Sequence, residues 1–324
     1  MVEIEGLTKK FGPIIAVDDM TFSVDCGEAL CFLGPNGAGK STAMKMITGF
    51  LPPTAGSVTV CGYDIMHHPI EAKRRIGYLP EGAPLYGDMT PLSLLHFVSK
   101  IRRLSREQRK RGIEFAIECL HLQNVLHQTI ETLSKGYKRR VGLAQAIVHD
   151  PDILILDEPT DGLDPNQKHE VRTLLRQMAS DKVIIISTHI LEEVDEVSNR
   201  VIIIAKGRIV ADQTPIQLEE QSRFHNAVGI RIPTERIEHC EALLNGIGEV
   251  CAVETAIQPS GLSELMAFPT HGCEILDSVR AVINHEGLET AEIFVERGRL
   301  DDVFRDLTIG AAQPQQMSAL SENH

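Results

Sequence analysis

Gly34-Pro35-Asn36-Gly37-Ala38-Gly39-Lys40-Ser41 is the stretch on which the reading of this 324-residue chain turns. It has the spacing G-x-x-x-x-G-K-[ST], with an apolar run at 29–33 before it and a helical pattern from about Lys40 after it. A strand, a glycine-rich turn and a helix in that order make a cradle for an anion. Glycines let the backbone curl until its N–H groups converge, and the helix N-terminus adds the positive end of its dipole. In such a cradle Lys40 reaches the β- and γ-phosphates of a nucleotide, and the Ser41 hydroxyl ligates Mg²⁺. Gly34, Pro35, Asn36, Gly37, Ala38, Gly39, Lys40, Ser41 and Thr42 are therefore the expected nucleotide-binding loop.

Working outward, short β-branched runs alternate with helical patterns, as in parallel α/β construction. Runs 2–4, 20–24 and 29–33 read as strands. Runs 153–156 and 183–187 are apolar almost throughout, as strands buried on both faces should be. A last pair, 201–204 and 208–211, flanks the Lys206-Gly207 turn. Between 84 and 148 the period becomes helical, over 92–104, 106–120 and 138–148, which predicts a helical subdomain inserted into the α/β core. From about Phe224 a second unit begins. The strands 228–232, 249–255, 262–268 and 291–296 alternate with helices 235–244 and 273–284 in the order βαββαβ, a ferredoxin-like split βαβ domain. An amphipathic segment, 300–307, follows. The composition of 310–324 cannot bury a core and predicts a disordered tail.

The run Ile153-Leu154-Ile155-Leu156-Asp157-Glu158 ends a buried strand on two carboxylates. Behind a phosphate loop such a pair reads as a hydrolysis site, with Asp157 holding Mg²⁺ through water and Glu158 polarising the attacking water. An acidic pair at a strand end can also be an ordinary helix cap, so further motifs are needed.

Composition narrows the function classes. A net charge of −13 argues against a nucleic-acid partner. Seven scattered cysteines without a C-x-x-C pair read as reduced thiols rather than a disulfide or metal framework. The N-terminal residues lack a basic segment followed by an apolar run, so no signal peptide is expected. The longest apolar stretches fall far below the ~20 residues a membrane span requires, so any link to a membrane is expected through another protein.

With these residues in place the sequence resembles the ABC ATPases. Leu133-Ser134-Lys135-Gly136-Tyr137 is similar to their LSGGQ signature, 19 residues ahead of Asp157-Glu158. Gly162-Leu163-Asp164 resembles the D-loop, Ser187-Thr188-His189 the switch histidine, and Phe11 the aromatic that stacks on adenine. The likeness runs over 1–220 and implies a P-loop NTPase core, ATP and Mg²⁺, and catalytic roles for Lys40, Glu158 and His189. It also implies nucleotide contacts from Ser134, Gly136 and Asp164, and Mg²⁺ held by Ser41, Asp157 and Glu81. Two departures stand out. Glu81 replaces the usual Gln after strand 76–80, and Lys135 and Tyr137 replace Gly and Gln of the signature.

The resemblance further implies a head-to-tail homodimer with ATP between the Gly34–Ser41 loop of one subunit and Ser134–Tyr137 of the other. Integral membrane permease subunits would complete the transporter, and the chain would sit on the cytoplasmic face of the cell (inner) membrane. The runs Ile76-Gly77-Tyr78-Leu79-Pro80-Glu81 and 133–137 resemble the gliding-motility-type branch of type-2 exporters. An ABC ATPase acting on DNA or ribosomes is the alternative, but those relatives carry long inserts or two cassettes. The basic run 102–111 is either a solvated helix junction or a contact for the permease or anionic headgroups. His67-His68 lacks the companions of a metal site.

Overall fold

The computed structural model describes residues 1–258, 261–270 and 273–310. The predicted tail falls outside these residues apart from Gly310, which ends the helix Leu300–Gly310. Packing divides the chain into one unit built on Met1–Pro215 and another on Ile216–Asp306.

Among the described residues the first unit holds two sheets. The six-stranded sheet runs in the order Arg208–Gln213, Arg200–Ala205, Ala29–Leu33, Val183–Thr188, Ile153–Asp157, Ile76–Leu79. Its pairs are parallel except for the Arg208–Gln213 hairpin with Arg200–Ala205. Successive side chains of the central strands point to opposite faces. Leu154, Leu156, Ile184 and Ile186 enter the core on one side. Leu30, Phe32, Ile153, Ile155, Val183 and Ile185 enter the core on the other. Burying each large aliphatic side chain contributes about 1.5–3 kcal/mol, so the two-sided apolar runs fix the sheet in place.

A four-stranded antiparallel sheet adds Ile14–Val24, Val2–Phe11, Ala55–Val60 and Tyr63–Asp64. The expected strands 2–4 and 20–24 are the ends of these longer ones. Ala55–Val60 was not expected, because its alanine, glycine and serine mask the alternation of Val58 and Val60 toward the core.

The inserted helices are Pro91–Ile101, Arg106–Cys119 and Lys135–Ile147. Thr90 with Ser93 and Ser105 with Gln108 form capping boxes that satisfy free N–H groups at the first two helix starts. The third helix begins at Lys135, earlier than the periodicity suggested, because the Ser134 side chain accepts from the Tyr137 N–H. Leu94, Leu95, Ile113 and Ala116 join this layer to the core beneath the sheet.

The second unit has the element order expected for it. Val228–Pro233, Ile237–Asn245, Val250–Ala256, Leu262–Pro269, Leu276–His285 and Glu292–Val295 follow one another as βαββαβ. Its sheet is antiparallel, with Val250–Ala256 and Glu292–Val295 at the edges. Val228, Ile230, Ile232 and Leu265 face the two helices through Cys240, Leu244, Val279 and Ile283.

Gly77 lies where the strand Ile76–Leu79 meets the helix Lys135–Ile147. A Cβ there would sit 2.3 Å from the Ala146 carbonyl oxygen and 2.8 Å from Leu154 Cδ2. Gly77→Ala is expected to cost about 1–3 kcal/mol by overpacking, read as a lower urea midpoint of the first unit.

Candidate nucleotide site

The strand Ala29–Leu33 delivers the loop 34–39 to the N-terminus of the helix Lys40–Ile47. Gly39 takes a φ of 110°, a conformation side chains rarely adopt, and a Cβ there would meet the Ala16 carbonyl oxygen at 2.4 Å. A Cβ on Gly34 would stand 2.4 Å from the Ile204 carbonyl oxygen. Lys40 Nζ donates to the Gly34 carbonyl at 2.5 Å and to the Pro35 carbonyl at 3.2 Å, folding back across the loop. Burial holds the Lys40 ammonium below its ordinary pKa, while Glu158 and Asp157 pull it upward. Ala16, residues 36–42, Glu81 and Glu158 line one cleft of about 370 Å³.

Glu81 and Glu158, each just past a strand, supply the acidic side of this cleft, and Asp157 stands outside its lining at the end of the strand before Glu158. Asp157 pairs in register with Ser187 on the neighbouring strand, and its Oδ1 accepts from the Ser187 hydroxyl. Asp157 is buried, and its Oδ2 has no hydrogen-bond partner. A buried carboxylate oxygen without a donor calls for a cation or a cation-bound water. Oxygen donors at Asp157, Ser41 and Glu81 suit a hard divalent ion such as Mg²⁺, so the residues present fit that group.

The next residue, Glu158, has a φ of 53° and is held there as its N–H donates to the Ser187 carbonyl at 3.1 Å and hydroxyl at 3.2 Å. Left-handed backbone at a non-glycine residue costs roughly 1–2 kcal/mol, and such strain clusters at functional sites. Burial raises the Glu158 carboxyl above its ordinary pKa. The hydrogen bond from His189, whose Nδ1 lies 2.9 Å from Glu158 Oε1, works against that rise, as does Lys40.

Ser134, Gly136 and Asp164 do not line this cleft. Ser134 and Asp164 cap helices, Asp164 accepting from the Gln167 N–H at 3.0 Å. Gly136 packs so closely that a Cβ would reach Gln167 Oε1 at 2.7 Å. Lys135 crosses Gly162 and pairs with Asp161 at 2.9 Å, which lowers the Asp161 pKa. Phe11 is 47% exposed, with the Lys9 ammonium 5.2 Å from its ring centroid.

Comparison with known proteins bears on this arrangement. The ABC transporter family description matches residues 17–161. The Nod factor export ATP-binding protein I of Burkholderia orbicola (strain AU 1054) is 36% identical over 220 residues, which cover 68% of this chain and 72% of that protein. The chain belongs to the ABC transporter ATP-binding proteins. "Probable multidrug ABC transporter ATP-binding protein YbhF" of Escherichia coli (strain K12) is also 36% identical over 68% of this chain, but the match spans only 38% of that protein's length. A solved ATP-binding subunit of an ABC transporter superposes with a TM-score of 0.64 at 30% identity, covering 68% of this chain and 92% of that one. The matched unit is thus an ABC ATPase domain with the α/β P-loop core.

One residue of the cassette was not anticipated. Arg139 is buried on the helix Lys135–Ile147 and donates to the carbonyls of Pro159 and Pro80, each at 3.3 Å, and to those of Asp157 and Glu158. It joins the signature helix to the strand end that carries the acids and to the residue before Glu81. The available signal was a charged residue at a core-facing helical position, a buried cation that must find acceptors. Arg139→Lys has too few donors for these carbonyls and should lower stability by about 2–4 kcal/mol, measured as a fall in the unfolding free energy of the first unit.

Proposed function

We propose that this chain is the ATP-binding and ATP-hydrolysing subunit of a type-2 ABC exporter, working as a homodimer on integral membrane permease subunits at the cytoplasmic face of the membrane. The observation that carries the reading is Glu158, aimed into the cleft that residues 36–42 line and hydrogen-bonded to His189. A carboxylate so placed can take the proton of an attacking water. Residues 36–42 present the amides and helix N-terminus that bind nucleotide phosphates, with Lys40 as the cation. Mg²⁺, held through Ser41, Asp157 and Glu81, would neutralise the charge that develops on the phosphoryl group. His189 orients Glu158 through their 2.9 Å contact, and Phe11 offers an exposed ring on which adenine can stack.

The homodimer reading rests on the signature residues. Ser134 and Gly136 stand outside the cleft of their own chain, so donation to the nucleotide of a second copy gives them a use, with Asp164 at the same face. No helix among the described residues is long and apolar enough to cross a membrane, which supports a partner that supplies the spans. The names of the relatives, Nod factor export and multidrug transport, favour export. The type-2 and gliding-motility assignment rests on 76–81 and 133–137 alone. We take 1–220 as the cassette, 84–148 as its helical subdomain and 224–309 as an accessory domain. The net charge of −13 disfavours the nucleic-acid-acting alternative.

Two outcomes test this. Glu158→Gln should bind ATP, dimerise in ATP and Mg²⁺, and hydrolyse at least about a hundredfold more slowly; a monomer with full turnover in gel filtration and phosphate-release assays would overturn the reading. A general base must be ionised, so turnover falls as pH drops through the Glu158 pKa. Because the His189 bond opposes the rise caused by burial, His189→Ala should move the acid limb of the kcat profile to higher pH. A limb that stays put or moves lower assigns the base elsewhere.

A further inference from the structure

Glu193 sits on the short helix Glu192–Val197 and belongs to none of the sequence motifs. It is 5% exposed and does not line the nucleotide cleft. Its Oε1 accepts from the Thr160 hydroxyl at 2.6 Å and from Arg172 Nη2 at 3.2 Å, with Lys168 Nζ at 3.6 Å. Its Oε2 accepts from the Thr188 hydroxyl at 2.9 Å, and the Thr188 oxygen accepts in turn from the Ile190 N–H at 3.0 Å. Thr160 lies two residues beyond Glu158, and Thr188 immediately precedes His189. One carboxylate therefore ties together the two loops whose side chains meet in the 2.9 Å contact between His189 and Glu158. Lys168 and Arg172, both on the helix Pro165–Ala179, hold that carboxylate from a third element.

Energetics separates this arrangement from ordinary packing. Taking a carboxylate and a guanidinium out of water costs several kcal/mol per ion, and apolar residues of the same volume often serve stability equally well. Such a cluster does impose a fixed geometry, because each oxygen is satisfied only when both threonines and the cations are in place. The polar atoms that Glu193 gathers come from the two loops that must be aligned.

We propose that Glu193 is a positioning residue for hydrolysis, holding the Glu158 loop and the His189 loop in the mutual register that lets His189 bond to the general base. This rests on the reading of Glu158 as that base. The test uses the full chain with Mg²⁺ and ATP, comparing Glu193→Gln, Glu193→Asp, Thr160→Val and Thr188→Val with the parent. Glu193→Gln should leave KM within about twofold and lower kcat about tenfold or more. Glu193→Asp should recover part of kcat. The double variant Glu193→Gln with His189→Ala should be no slower than His189→Ala alone, since both remove the same alignment. Should Glu193→Gln unfold, Thr188→Val combined with His189→Ala carries the same comparison. Multiplicative losses in the double variant, a Glu193→Gln enzyme with parental kcat, or no recovery of kcat in Glu193→Asp overturn the proposal. Either result leaves the Glu158 reading intact so long as Glu158→Gln remains inactive; an active Glu158→Gln removes the reading beneath it.

Discussion

Burial of the parallel sheet on both faces sets where the acidic residues at its strand ends stand. Leu154 and Leu156 point into one core while Ile153 and Ile155 point into the other, and the neighbouring strand Val183–Thr188 divides its residues in the same way. A slip of one residue would send each set to the wrong face. Register is thereby imposed by apolar contacts well away from the chemistry. At the strand ends the same alternation puts Asp157 and Ser187 on one side, directly opposite each other. Beyond that pair the apolar pattern stops and the backbone turns into the left-handed conformation of Glu158.

Polar anchoring takes over where the sheet ends, and the anchors are unequal. Arg139 reaches four backbone carbonyls from a buried position, so each of its donors replaces a hydrogen bond that water cannot provide. The Lys135–Asp161 pair has side chains 71% and 49% exposed, and exposed pairs contribute only about 0–1 kcal/mol. It adds little stability, yet it occupies the lysine that stands where the signature usually has glycine. Its aliphatic stem also covers Gly162.

Legibility in the sequence followed the kind of constraint. The strands 29–33, 153–156 and 183–187 were visible because two-sided burial leaves an unbroken apolar run. The loop 34–39 was visible because Gly34 and Gly39 stand where a side chain would collide with the Ile204 and Ala16 carbonyls. The order of the second unit was visible through alternation on a half-buried sheet, as with Val228, Ile230 and Ile232. By contrast, the length of Val2–Phe11 was hidden by polar residues on a strand with bulged pairing. The roles of Arg139 and Glu193 were hidden for another reason. Each has partners far along the chain, at Pro80 for Arg139 and at Thr160 for Glu193, and no local spacing reports such a contact made by folding. Asp157 and Glu158 were legible as a carboxylate pair at a strand end, but the oxygen of Asp157 left without a donor was not.

Lys40 gives the phosphate loop a property of its own. Its ammonium rests on the Gly34 and Pro35 carbonyls, so the loop supplies internal acceptors for its own cation. The curled backbone is braced from within, and its ordering entropy is spent during folding rather than at nucleotide capture. On the proposed function, association would be an exchange of acceptors, carbonyl for phosphate, on a surface already shaped. Because one set of hydrogen bonds replaces another, phosphate affinity reflects the difference between two polar environments instead of the full strength of a charge pair.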